Sequence, residues 1–402
     1  MSNQTVTAPK GFRCGSAACG IKAEGRLDLG VLLADVPCAA AAAFTTNRFC
    51  GSPVIVGREH VRRGRLQAVV VNSGCSNVAT GARGIRDARE MCRLVGRAVG
   101  IVPEAVLPSS TGVIGRFLPM EKIRAGIRAA VDSLSSGAEA GEAFARAILT
   151  TDTRVKQACV RFRLGRSRVT LAGCCKGSGM IAPHLATMLA FLTTDAAVSP
   201  PVLRRIVRDV VGRTFNRVTV DECQSTSDTV LLLAGGLAGN EPVRSTGSRG
   251  AVTFGAAFED VAADLAYQIA ADGEGATRVV EVAVCGARTP ADAHRVARAV
   301  AASPLVKTAV HGGDPNWGRI VQAVGTTTAV FDPPRVRVWI GPVCVFRNSQ
   351  PVRSVSLALV RRHMRQKHVR IAIDLAAGQC RDRMLTCDLS REYVAVNADY
   401  TT

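Results

Sequence analysis

The chain alternates between two hydrophobic periods. Short aliphatic and β-branched runs read as strands, and longer stretches with apolar residues three and four apart read as helices. Residues 27–33 and 42–46 are apolar runs separated by Gly, Asp and Pro. Residues 67–71 form a third run, ending in the polar loop 72–77. A helix is predicted over 82–99, burying Ile85, Ala88, Met91, Cys92 and Val95. The Ser/Thr/Gly stretch 108–115 reads as a turn, followed by helices near 119–134 and 138–149, the first with Pro119 at its start. Residues 157–162 and 168–173 suggest a hairpin, 188–192 a buried strand and 193–195 a turn. Ser199 and Pro200 open a helix whose apolar face is Leu203, Ile206, Val207, Val210 and Val211. Two runs, 230–234 and 251–254, bracket a Gly-rich loop, and 258–271 is an amphipathic helix. From about residue 278 the order becomes strand, helix, helix, strand, with strands at 279–285, 336–346, 369–375 and 383–389 and a helix at 290–301. The last residues read as a frayed tail.

Composition narrows the class. A chain of 402 residues, 47% hydrophobic and 4% aromatic, is long enough for one large or two ordinary α/β domains with a sizeable core. No run reaches the roughly 18 apolar residues of a membrane span. The start, MSNQTVTAPKGF, has neither an apolar signal region nor an Arg-rich amphipathic helix, so a cytoplasmic protein is expected. The net charge is +19, and only seven of the 51 basic residues are lysines. The arginines are spread evenly, without the aromatic interleaving of a nucleic-acid surface. A basic nucleic-acid binder is therefore the disfavoured alternative, and the charge suits anionic small substrates. The densest basic cluster, 361–368, reads as a solvated helix end. The fourteen cysteines show no CxxC and no zinc spacing, so they read as reduced core residues, with no metal site.

Candidate chemistry centres on Lys176-Gly177-Ser178-Gly179 and the Ala186-Thr187 pair that follows. Threonine at the start of a strand is ordinary, and Gly-rich turns join strands everywhere. If the Ala186–Thr187 peptide bond breaks, however, Thr187 becomes a chain terminus whose hydroxyl is a nucleophile and whose α-amine is its general base. The segment KGSGMIAPHLATMLAFLTTDA closely resembles the self-cleaving segment of the ornithine acetyltransferase family, the glutamate N-acetyltransferases of arginine biosynthesis. VTAPKGF, STGVIG, TTDT, DPNWGRI and NADYTT resemble further segments of the same family, and together they cover nearly the whole chain. Departures are Cys75 in a loop that usually reads NSGNAN, His184-Leu185 where Asn-Met is usual, and Glu222-Cys223-Gln224 with Ser227 in a stretch that usually reads TVDGDTSTNDT.

The resemblance implies a layered α/β sandwich with a smaller C-terminal α/β domain. It implies autocatalytic cleavage into an α chain, 1–186, and a β chain, 187–402, with 187–278 completing the main sandwich and about 279–402 forming the smaller domain. It implies Thr187 as the nucleophile, Thr111 and Gly112 as the oxyanion hole, and Thr150, Lys176, Thr187, Glu274, Asn397 and Thr402 as substrate ligands. Trp317 in DPNWGRI is expected to be architectural. The implied reaction moves acetyl from N-acetylornithine to glutamate by a ping-pong route without metal or organic cofactor. Whether acetyl-CoA is a second donor stays open. The expected partners are the small-molecule substrates and the chain's own two halves, assembled as α2β2 or larger. An N-terminal-threonine amidase or aminopeptidase is the enzymatic alternative, distinguished by water rather than glutamate capturing the acyl group.

Overall fold

A computed structural model describes residues 3–23, 25–182 and 188–399. The described residues divide into two compact units, one drawn from residues 3–216 and 224–269, the other from residues 217–223 and 270–399.

The first unit carries an eight-stranded sheet. Its strands are β1 Phe12–Ala17, β2 Leu29–Phe44, β3 Arg65–Cys75, β4 Val106–Val113, β5 Lys156–Leu164, β6 Ser167–Lys176, β7 Leu189–Thr194 and β8 Thr229–Ala234. The order is β4-β3-β2-β8-β7-β6-β5, with β1 paired to β2. The two runs expected at 27–33 and 42–46 are one long strand. Its register shifts between Leu33 and Cys38, where Asp35 and Pro37 interrupt the apolar pattern. Alternation then sorts its side chains. Leu29, Val31 and Leu33 face α2 Gly81–Val99 and α3 Met120–Asp132, whereas Leu32, Ala34, Cys38 and Ala40 join Phe144 of α4 Ala138–Ala147 and Phe191 of β7 in a second core. Helix α1 Ser52–Val61 lies against β4. On β6 and β7, Gly173 and Leu192 pack against Leu265 of α6 Arg249–Ala271, and α5 Pro200–Arg213 lies along β2.

Four expectations for this unit need correction. The stretch 108–115 is mostly strand β4, because its hydroxyls find partners in β3; Ser110 Oγ donates to Asn72 Oδ1 at 2.6 Å. Residues 72–75 likewise continue β3, and 193–194 continue β7. Residues 251–254 are helical, as part of α6, because Phe254 and Phe258 lie one turn apart on one buried face.

The second unit holds a six-stranded sheet of order β12-β11-β10-β13-β9-β14. Its strands are β9 Val279–Ala287, β10 Arg337–Ile340, β11 Val343–Arg347, β12 Gln350–Pro351, β13 His368–Asp374 and β14 Cys380–Cys387. The expected strand over 336–346 is a hairpin turning at Gly341, whose φ is +59°. Val280, Val282 and Val284 of β9 point into a core shared with α7 Pro290–Ala302, α8 Pro304–Gly312, α9 Trp317–Gly325 and α10 Leu357–Met364. Trp317 stacks on Phe346 at 5.2 Å between ring centroids, the architectural part expected of it. The expected frayed tail is helical as far as Asp399, in α11 Arg391–Asp399. The fold is thus α/β with two sheets and flanking helices. No described helix is long and apolar enough to cross a membrane. All fourteen cysteines are free thiols, half of them buried.

Candidate active site

The first unit gathers four of the expected site residues. Thr111 and Gly112 end β4, paired with Ser73 and Gly74 of β3. Thr111 is buried. Gly112 has a φ of +123°, and a β-carbon on it would sit 2.4 Å from the carbonyl carbon of Gly74. Both the torsion and the backbone contact require glycine here. Asn72, fully buried, locks this strand end by donating to Cys75 O at 2.8 Å while accepting from Ser110. Ser73 Oγ donates to Ala147 O at 2.6 Å, which brings the end of α4 beside Thr111.

Thr150 follows α4 directly, and the segment it opens is tied down by Asp152. Asp152 accepts from Thr150 N at 3.1 Å, from Lys156 Nζ at 2.6 Å and from Gly177 N at 2.6 Å. Thr151 Oγ1 and Ser178 Oγ are 2.8 Å apart. Thr150–Asp152 and Lys176–Ser178 are therefore one docked pair of loops. Neither the Asp152 nor the Lys156 side chain has any exposure. Burial alone would raise the Asp152 pKa, but Lys156, Lys176 and the donated hydrogen bonds outweigh it and hold it at about 2. Lys176 is buried at the end of β6, opposite Leu189 of β7.

Ala186 and Thr187, and with them His184-Leu185, lie outside the described residues, as does Thr402. Directly after Thr187 in sequence, Met188 N donates to Asp228 Oδ1 at 2.9 Å, and Thr229 N donates to Met188 O at 3.1 Å. Asp228 is the residue that sequence reading missed. Its signal would have been a lone acid just before an unbroken apolar strand, TVLLLA.

Glu274 and Asn397 belong to the second unit, where Asn397 Nδ2 donates to Glu274 Oε2 at 2.8 Å. Glu274 is half-buried and Asn397 exposed. The departures from the family wording have partners of their own. Cys75 Sγ lies 3.3 Å from Arg116 O, Glu222 pairs with Arg298 at 2.7 Å, and Gln224 Nε2 donates to Thr46 Oγ1 at 2.7 Å. Among the described residues, no group of three His, Cys, Asp or Glu side chains is arranged as metal ligands would be.

The sequence profile of the ArgJ family matches residues 13–402. The chain belongs to the ArgJ family. An arginine biosynthesis bifunctional protein ArgJ from Symbiobacterium thermophilum is 48% identical over 399 residues, covering 99% of this chain and 98% of the relative. The ArgJ protein of Geobacter sulfurreducens is 46% identical over 393 residues, covering 98% and 99% respectively. A crystal structure of the Bacillus halodurans ArgJ protein aligns with a TM-score of 0.50 at 36% identity, covering 52% of this chain and 97% of the solved one. Family membership makes the protein an acyltransferase of arginine biosynthesis, in agreement with the glutamate N-acetyltransferase chemistry its segments imply.

Proposed function

We propose that this ArgJ-family acyltransferase carries acetyl from N-acetylornithine to glutamate on the hydroxyl of Thr187, after the chain cleaves itself between Ala186 and Thr187. The observation that carries the reading is the convergence of Thr111–Gly112, Thr150–Asp152 and Lys176 within one unit, with β7 beginning two residues after Thr187 and pairing with β6 at Lys176.

In the first half-reaction the neutral α-amine of Thr187, with a pKa of about 8 when unperturbed, takes the hydroxyl proton. The oxygen attacks the acetyl carbonyl of N-acetylornithine. The oxyanion is stabilised by the Thr111 hydroxyl and the Gly112 N–H. The amide C–N bond breaks, the leaving nitrogen takes the proton, and ornithine departs. In the second half the α-amine of glutamate attacks the acetyl ester, restoring the Thr187 hydroxyl and giving N-acetylglutamate. Lys176 binds the α-carboxylate common to both substrates, and Thr150, Asn397 and Thr402 add hydrogen bonds. Glu274 receives the ornithine ammonium. The route uses no metal or organic cofactor; acetyl-CoA as a second donor is tested by replacing N-acetylornithine with it. The active form is two polypeptides, 1–186 and 187–402, assembled as α2β2 or larger. The length of the Bacillus halodurans chain, matched almost completely by about half of this one, supports the two-polypeptide reading.

The test is mass spectrometry of purified protein with and without N-acetylornithine. Wild type should appear as two fragments, the 187–402 fragment gaining one acetyl group, and glutamate should remove it. Thr187→Ala should give one intact, folded and inactive chain. Active wild-type protein that is uncut, or an acetyl group on any other residue, would overturn the assignment.

A further inference from the structure

The two substrates differ in one chemical respect that the reading above leaves without a partner. Both present an α-nitrogen to the acetyl group and an α-carboxylate beside it. The side chain of ornithine ends in an ammonium, whereas that of glutamate ends in a second carboxylate. A site that accepts both in turn needs a further cation for the second half-reaction alone.

Lys22 is placed to supply it. The loop that carries it is fixed by Asp28, whose carboxylate accepts from the backbone N–H groups of Cys19, Ile21 and Lys22 at 2.7 to 3.0 Å. From this anchor the Lys22 side chain crosses Gly74. A β-carbon at Gly74 would lie 3.1 Å from Lys22 Cγ, and Gly74 is the residue against which Gly112 packs. Its ammonium donates to Leu149 O at 2.9 Å, one residue before Thr150. The half-buried side chain therefore runs from the Thr111–Gly112 end of the site to its Thr150 end. One of three N–H groups is used on Leu149, which leaves two for a carboxylate. The buried cation Lys156, by contrast, is already matched by Asp152.

We infer that Lys22 binds the side-chain carboxylate of the incoming glutamate and so sets the acceptor specificity of the second half-reaction. This rests on the acetyl-Thr187 reading. Partial burial lowers the Lys22 pKa to about 8; Arg26 and Lys176 press in the same direction, while Asp28 and Asp152 oppose them. The ammonium is charged at neutral pH, and a bound carboxylate stabilises that form.

The experiment measures the two half-reactions separately in Lys22→Met, Lys22→Gln and Lys22→Arg. Thr187 acetylation by N-acetylornithine is followed by mass, and deacetylation is followed at increasing glutamate. Lys22→Met should raise the glutamate KM about tenfold or more, the loss expected of one charge-assisted hydrogen bond, and slow acetylation far less. Lys22→Arg should restore most of the glutamate KM. If Lys22→Met fails to fold, Lys22→Gln keeps a donor for Leu149 O without the charge and takes its place at matched Tm. A wild-type rise in glutamate KM from about pH 7 to about pH 9 that is missing in Lys22→Arg would support the assignment, because guanidinium stays charged throughout. Equal loss in both half-reactions, or an unchanged glutamate KM, would overturn it. Failure of the wild type to form an acetyl-Thr187 fragment would instead remove the underlying reading, so the two failures are distinct.

Discussion

Asp228 accepts the backbone N–H of Met188 at 2.9 Å through a carboxyl with no exposure to solvent. Burial pushes its pKa well above the usual carboxylate range, against the opposing pull of the Met188 N–H and the Lys176 charge. A carboxyl whose charged form is disfavoured by burial therefore anchors the first described residue after the proposed cleavage point. Thr229, next in sequence, bonds the other side of Met188, so the start of β7 is fixed from two adjacent residues.

Asp228→Asn tests this directly. A raised pKa means that the native state keeps a proton which the unfolded chain releases above about pH 4, so stability falls as pH rises from there toward the native value. Asparagine stays neutral and keeps an oxygen for Met188 N. The Tm of the variant should decline less than that of the wild type between about pH 4 and about pH 8. Parallel Tm curves would show that Asp228 is not a protonated acid in the fold.

The Asp152–Lys156 pair has the opposite sign. Asp152 is held at about 2, below its unfolded value of 3.8, so its contribution is present above the unfolded value and is lost as pH falls toward 2. Because neither side chain has any exposure, removing one leaves an uncompensated buried charge. Asp152→Asn should cost about 3–5 kcal/mol by urea denaturation near neutral pH. A loss below about 1 kcal/mol, the range of surface pairs, would mean that water reaches the pair.

How much was legible in the sequence follows from which forces decide each part. Alternation at 279–285 and helical spacing at 82–99 report burial directly, and β9 and α2 lie where they were read. Residues 108–115 misled because Ser and Gly mark turns only when their polar groups lack a neighbouring strand, and Asn72, 38 residues earlier, supplies that partner to Ser110. Residues 251–254 misled because four apolar residues are too few to separate a strand from a helix turn. At the site, Thr111, Gly112, Thr150 and Lys176 came from resemblance rather than from spacing. Lys22 carried no local signal and Asp228 only that of a lone acid before an apolar strand, since what marks both is burial and contacts made by distant segments.

Glu274 and Asn397 offer a test within the second unit. Their 2.8 Å hydrogen bond uses one oxygen of the carboxylate, and the reading gives Glu274 the ornithine ammonium. Glu274→Gln keeps size and an acceptor but removes the charge. It should raise the KM for N-acetylornithine about tenfold, with a smaller effect on glutamate. Asn397→Ala should produce a weaker change in the same direction. An equal rise for both substrates would point to a structural role for the pair.

The oxyanion assignment separates two variants that a purely structural role would not. Thr111→Ala removes a donor and leaves the strand register intact, so it should lower kcat by roughly a hundredfold with little change in Tm. Gly112→Ala acts through geometry. Its new β-carbon would lie 2.4 Å from the carbonyl carbon of Gly74 and 2.7 Å from Cys75 N, both backbone atoms at the paired end of β3. A φ of +123° adds strain that glycine alone escapes. The strand end must shift to admit the methyl group, and the Gly112 N–H must shift with it. Gly112→Ala should therefore lower both Tm and kcat, and the kcat loss should persist in whatever fraction remains folded and cleaved. Acetylation kinetics on protein selected for cleavage, with circular dichroism for Tm, distinguish the two. If Thr111→Ala retains wild-type kcat, the strand end at 111–112 shapes the site without stabilising the oxyanion, and the donor must be sought elsewhere in the first unit.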